Sequence, residues 1–445
     1  MPESQPQEPA EPDRDTAPGP PPLLLCGARL ADGRTVDVRL GGGRIEAVGA
    51  AGSLSSPGPA SARLPRIDLT GHLLLPAPAE PHAHYDTALT ADAGGAGPPD
   101  GIGDLQRNVQ RRAAEAALLQ LGHGATAVRT HVRVGDAAGL SVLQAVLRAR
   151  HALRGLTDLT AVAVPGVLTG VAGADGLAVL RDAVGMGAQV VGGCPDLDPD
   201  PAGHLEAVLT VAAEYGRPVD LHVRGGAPAR LSRFAALAGE SRTELVVGPC
   251  DGLARLPHEV AARAAEALAA AGATVVCLPR GGCGLSGPLP HATPVRLLEA
   301  AGVRVAAGGG ALRDGADPVG RGDPLEAAHL LVSRDRLDPE AAYEAVSARA
   351  RRALGLPRVR IEAGFPAELL AVRGDTLTGA LSLAYSRLVV HRGRVVARTS
   401  AVREYCDTTD TADRADRAGA GDTANTANTR PGHAAELGLP RQSQR

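Results

Sequence analysis

From Leu73 to Ala353 the chain repeats one pattern, in which apolar runs of four to six residues alternate with Ala/Leu-rich stretches. Stretches such as 104–121 ("DLQRNVQRRAAEAALLQL") and 256–271 carry apolar residues at three-to-four spacing, the period of a helix with one buried face. The short apolar runs between them read as strands buried on both faces, and strands that alternate with helices form a parallel sheet. The strands are predicted at 73–79, 125–131, 159–164, 188–192, 218–222, 244–248, 273–278 and 303–308. Eight such units fit a (β/α)8 TIM barrel, whose usual size is ~250 residues.

The flanks have another texture. "LLLCGARLADGRTVDVRLGGGRIEAVG" reads as short strands broken at Asp32-Gly33 and Gly41-Gly42-Gly43, and "RIEAGFPAELLAVRGD" and "RLVVHRGRVVART" repeat that texture at the far end. The two ends are expected to pair into a small β-sandwich domain. The division predicted is a disordered tail at 1–21, a composite sandwich from 22–72 and 355–405, a barrel over 73–354 and a second disordered tail at 406–445. Both tails are too rich in proline or polar residues to bury anything.

Composition removes several function classes. The 46 basic residues nearly balance 49 acidic ones, and all 46 are Arg. No basic run interleaved with aromatics is present, so no nucleic-acid partner is expected. No apolar segment has membrane-spanning length and no leader pattern opens the chain, which points to a soluble cytoplasmic protein with no membrane partner. The cysteines Cys26, Cys194, Cys250, Cys277, Cys283 and Cys406 form no C-x-x-C pair. Without lysine there is no Schiff-base chemistry, and the glycine clusters at 41–43 and 308–310 lack the Lys of a phosphate-binding loop.

The chemistry-bearing residues gather at predicted strand ends. "AEPHAHYDTALT" (79–90) puts His82 and His84 after the first strand, and alternation along extended chain sends both imidazoles to one side. An isolated His-x-His is more often satisfied by backbone hydrogen bonds than by a metal. A third histidine shifts that balance: "RPVDLHVRGG" ends the fifth strand with His222, across the mouth of a closed barrel from the first. Three histidines make a first shell for zinc or iron. Asp86 either orients one of these ligands from outside or is a solvated loop carboxylate.

These segments, with "GATAVRTHVRVGD" (124–136), "GAQVVGG" (187–193) and "VDLHV" (219–223), are together similar to the cytosine-deaminase branch of the amidohydrolase superfamily. The resemblance runs from about residue 23 to 400. It implies a barrel with a flanking β-sandwich and one divalent metal, zinc or iron, on His82, His84 and His222. That metal would activate water to displace ammonia from a ring carbon, with no organic cofactor. The resemblance also implies a pocket lined by His131 of "RTHV", Gly166 and Arg224, and a small molecule as ligand. A homo-oligomer is compatible with the chain and not fixed by it.

Four positions depart from the family pattern. The proton-shuttling glutamate three residues after the fifth-strand histidine is Gly225, and the sixth-strand histidine is Pro249. The eighth-strand aspartate falls in Gly309-Gly310-Ala311, and the substrate-reading glutamine is Gly166. Proton transfer contributes roughly 10²–10⁴-fold to rate, so losing the glutamate alone is severe. The catalytic residues are therefore left unassigned, and a weakly metal-binding, non-catalytic or impaired paralogue that binds a small ligand or partner is expected. The alternative is an active metal-dependent hydrolase of cyclic C–N bonds using substitute groups. Cys250, one residue beyond Pro249, is either such a thiolate ligand or a buried inert cysteine, and Asp251 and Asp314 either reach the mouth or stay solvated.

Overall fold

A computed structural model describes residues 21–54, 64–92, 101–241, 244–283, 291–383 and 385–401. Save for Pro21, the tails expected at 1–21 and 406–445 lie outside the described residues, as does Cys406.

Eight parallel strands form the barrel sheet in chain order: Ala79–Ala83, Ala127–Arg133, Asp158–Val164, Val190–Gly193, Val219–Val223, Leu245–Pro249, Thr274–Cys277 and Arg304–Ala307. Helices lie between successive strands, among them Ile102–Gly122 and His258–Ala270, which cover the two helical stretches expected. A parallel bridge between Ala83 and Gly310 joins the first strand to the chain beyond the eighth and nearly closes the barrel. The core is aliphatic and dense in alanine, as small side chains facing the sheet let helices approach closely.

The expected first strand, 73–79, is two different elements. Leu73, Leu74 and Leu75 are buried, and their strand, His72–Pro76, pairs antiparallel with Leu369–Arg373 in the sheet made by the chain ends. Pro76 and Pro78 carry no N–H for a ladder, so the chain breaks there and restarts at Ala79 as the first barrel strand. His82 therefore lies within that strand rather than after it. His131 likewise lies within the second strand, which begins at Ala127 and runs to Arg133 instead of spanning 125–131.

The chain ends build a separate eight-stranded sheet. Its spatial order is Arg394–Thr399, Arg387–His391, Leu369–Arg373, His72–Pro76, Leu23–Arg29, Thr35–Gly41 and Arg44–Ala50, with Arg66–Asp68 alongside Leu23–Arg29. The edge strand Arg44–Ala50 is tied to the chain just before Leu369–Arg373, where Arg44 bridges Pro366 and the Ile45 N–H donates to Phe365 O. A second apolar cluster, including Leu25, Val38, Leu40, Ile45, Leu369 and Val390, fills the inside. No helix among the described residues is long and apolar enough to cross a membrane.

Candidate metal centre

Residues two apart on a strand share a face, and three barrel strands use this to stack two layers of polar side chains inside the barrel. The deeper layer is Glu80, Arg129 and Asp220; the layer toward the mouth is His82, His131 and His222, with His84 following on the first strand. Each of the four histidines is only 1–2% exposed. One ring nitrogen from each can be chosen so that all lie within 4.8 Å of one another.

The contacts inside this group are close. His84 Nε2 stands 3.3 Å from His82 Nε2 and 3.4 Å from His222 Nε2. A cysteine from the loop after the seventh strand joins them: Cys283 Sγ lies 3.5 Å from His84 Nε2 and 3.7 Å from His82 Nε2. Burial, reinforced by the neighbouring histidines, pushes His82 and His222 well below the ordinary histidine range, so both are neutral and offer lone pairs. Burial acts on His84 in the same direction, but the Cys283 thiol group outweighs it and carries His84 upward. His222 Nδ1 and both nitrogens of His131 are buried without a hydrogen-bond partner. Converging, dehydrated imidazoles with unmatched nitrogens fit a divalent cation, which would polarise a bound water or ring carbonyl.

The deeper layer holds the histidines in place. Arg129 Nη1 donates to Asp220 Oδ2 at 2.8 Å, and both side chains are buried. Burial by itself would raise the Asp220 acid; His131 and the Arg129 guanidinium hold it below the usual carboxylate range. His131 Nε2 is 3.3 Å from Asp220 Oδ1 but off the hydrogen-bonding direction, so the contact is electrostatic. The Glu80 carboxylate accepts the His82 N–H at 3.0 Å and the Gly309 N–H at 2.8 Å, tying the first strand to the loop after the eighth. Burial pushes this acid up to about 7. A Cβ on Gly308 would collide with Glu80 Oε1, which gives that glycine a packing reason.

The remaining sequence candidates lie elsewhere. Cys250 belongs to the apolar core, with its N–H on Val223 O and burial raising its thiol pKa; it is not one of the clustered groups. Asp86 accepts from Arg133 Nε at 2.9 Å and leaves Oδ1 buried and unmatched, with no hydrogen bond to a histidine among the described residues. Arg224 pairs with buried Asp251 through bonds of 2.6 and 3.2 Å, and Gly166 is exposed at the mouth with Gly135 packed beside it. Asp314 is neither solvated nor a ligand: it accepts from Thr87 Oγ1 at 2.7 Å and from the Ala316 N–H.

At Gly225 and Pro249, two of the positions that depart from the family pattern, the structure is closely packed. A Cβ on Gly225 would meet Leu253 Cγ at 3.2 Å, and Pro249 is buried with its carbonyl accepting from Thr293. No carboxylate is part of the histidine cluster among the described residues. Sequence reasoning missed Glu80, Arg129 and Asp220, and it read Cys283, near a strand end, as more often a buried inert cysteine than a substitute ligand. The three were readable from the i−2 positions of His82, His131 and His222; for Cys283 the nearness to a strand end did not say that it meets the histidines.

Residues 120–397 match the model of the amidohydrolase family. The chain belongs to the amidohydrolase family. It is 27% identical over 373 residues to a pterin deaminase of Rhizobium rhizogenes, covering 77% of this chain and 84% of that one. It is 24% identical over 372 residues to an N-isopropylammelide isopropyl amidohydrolase of a Pseudomonas species, 76% and 89% of the two chains. Among solved structures, N-isopropylammelide isopropylaminohydrolase from Burkholderia multivorans superposes with a TM-score of 0.73 at 27% identity, over 86% of this chain and all of that one. A 5-methylcytosine deaminase from Klebsiella pneumoniae shares the fold at a TM-score of 0.73 and 23% identity, over 86% of this chain and 100% of its own.

Proposed function

We propose that this chain is a hydrolytically silent amidohydrolase-fold protein that holds a divalent metal at the barrel mouth and binds a small nitrogen heterocycle without turning it over. The observation that carries this reading is the pairing of a preserved histidine centre with a missing proton carrier. Three family histidine positions converge, while no carboxylate joins them among the described residues and Gly225 faces Leu253. A bound water could be polarised there, but without a group to carry the proton the release of ammonia from a ring loses roughly 10²–10⁴-fold in rate. Support for a nitrogen heterocycle comes from relatives named a pterin deaminase and an N-isopropylammelide isopropyl amidohydrolase.

The test is ammonia release by metal-loaded full-length protein from pterins, cytosines and N-alkylated triazines, beside thermal-shift binding of the same compounds. Binding without release is expected. Turnover near ~10 s⁻¹, ordinary for enzymes, would refute the reading. A second reading, a hydrolase of cyclic C–N bonds, draws on one feature: the buried, unpartnered nitrogens of His131 beside the cluster could carry the proton instead. Release abolished by His131→Asn would favour it.

A further inference from the structure

We infer that Cys283 is the fourth ligand of this centre, closing a tetrahedral His82–His84–His222–Cys283 site around Zn²⁺. The inference rests on the metal-holding part of the proposed function and adds a ligand from the loop that follows the seventh strand. Zinc bonds of about 2.0–2.1 Å to nitrogen and about 2.3 Å to sulfur, at tetrahedral angles, place ligand nitrogens about 3.3–3.4 Å apart and nitrogen and sulfur about 3.5–3.6 Å apart. The nitrogen pairs stand at 3.3 and 3.4 Å and the nitrogen–sulfur pairs at 3.5 and 3.7 Å. Four of the tetrahedron's six edges therefore lie within about 0.1 Å of these lengths before any ion is considered.

The alternative explanation, a hydrogen-bonded cluster, accounts for less. Each neutral imidazole has one N–H, and three Nε2 atoms aimed at one another and at a sulfur cannot all be donors and acceptors in turn. Buried His222 Nδ1 finds no partner on its far side either. A cation at the centre uses every inward lone pair at once. On binding, the Sγ–H proton leaves to solvent as the sulfur–metal bond forms, and the thiolate supplies the anionic charge that the absent aspartate would have given.

The consequence is functional. Structural zinc sites are closed by four protein ligands, whereas hydrolytic ones keep a position for water. With Cys283 in that position the metal pins the loop after the seventh strand to the first and fifth strands, and no water is activated.

Cobalt(II) substitution of the full chain tests this. The parent is expected to show an intense tetrahedral visible spectrum and a thiolate-to-cobalt charge-transfer band in the near ultraviolet. Cys283→Ser should abolish that band and weaken Zn²⁺ in chelator competition at least tenfold, the lower end of what even outer-shell partners cost (~10–100-fold). Cys250→Ser and His131→Asn should leave the band intact. Because Cys283→Ser could compromise folding, X-ray absorption at the zinc edge of the parent is the second measurement, with one sulfur expected at about 2.3 Å. Metal bound with no sulfur neighbour, or a band unchanged in Cys283→Ser, overturns the ligand assignment and leaves the metal reading standing. A parent that binds neither metal overturns both.

Discussion

Replacing Gly310 by alanine tests how tightly the chain is packed just beyond the eighth barrel strand, in the stretch expected from the sequence to carry the family's aspartate. Gly310 has φ +70°, and a Cβ there would stand 2.5 Å from the Gly282 carbonyl oxygen and 3.2 Å from Leu278 Cδ1. The left-handed conformation costs a non-glycine residue about 1–2 kcal/mol. The carbonyl is backbone and cannot rotate away, so relief requires shifting the 281–283 loop or the Ala83–Gly310 bridge, at about 1–3 kcal/mol by analogy with overpacked cores. The expected loss is about 2–5 kcal/mol. Gly225→Ala is the matched control: φ is +77°, but the nearest atom is Leu253 Cγ at 3.2 Å, on a side chain that can give. Its loss should stay near the conformational ~1–2 kcal/mol. Urea unfolding followed by circular dichroism on parent and both variants measures the difference. Gly310→Ala within about 0.5 kcal/mol of the parent, the range of an inconsequential surface change, would show that the backbone contact is not rigid and refute the reasoning. So would Gly225→Ala being the more damaging of the two.

Two further outcomes follow from the buried charges. Truncating Asp220 to Ala strands the Arg129 guanidinium inside the barrel and should cost about 3–5 kcal/mol, whereas Asp220→Leu with Arg129→Met should cost less than that single change; additive losses in a double-mutant cycle would show the pair is not coupled. Asp198 carries a pH signature. It accepts from the Leu168 N–H at 2.8 Å, the Asp200 N–H at 3.0 Å, the Thr169 hydroxyl and His204 Nδ1 at 2.9 Å. Burial opposes the charge, but these donors outweigh it and draw the acid from 3.8 down to about 2. A depressed acid stabilises above its unfolded pKa and loses that contribution as pH falls through its folded one, so the stability gap between parent and Asp198→Asn should shrink by about 2 kcal/mol from pH ~4 to ~2. A gap that does not change over this window would show that Asp198 is not held in its charged form.

Much of the barrel was legible because its strands are buried on both faces and cannot be anything but apolar runs. The later runs, from the 159–164 stretch to the 303–308 stretch, became strands with ends shifted by at most a residue or two. The first run misled because Leu73–Leu75 is as apolar as any barrel strand and sits just before the histidines; only the prolines at 76 and 78 mark the break. His82, His84 and His222 were legible from strand alternation, and the same alternation taken one step back would have supplied Glu80 and Asp220. Cys250 and Cys283 show the limit of reading by adjacency. Cys250 neighbours the emptied sixth-strand position in sequence, yet its backbone has φ 56° and the side chain belongs to the apolar core. Cys283 reaches the histidines from a glycine-rich loop some 200 residues away in sequence, and no periodicity encodes such a meeting.

The glycines around the mouth bear on whether the missing groups could simply be put back. A side chain trimmed from an otherwise intact deaminase mouth would leave a void at each lost position, and voids in packed protein are few. Here the reverse holds. At 308 the space belongs to Glu80, at 310 to the Gly282 carbonyl and Leu278, and at 225 to Leu253 and Leu231. Gly310 and Gly225 also hold a backbone conformation that disfavours any side chain. On the proposed reading, a carboxylate introduced at these positions would find no backbone path to aim it at the histidines. Installing Gly225→Glu, Pro249→His and Gly310→Asp in one chain should therefore lower stability before it creates a relay.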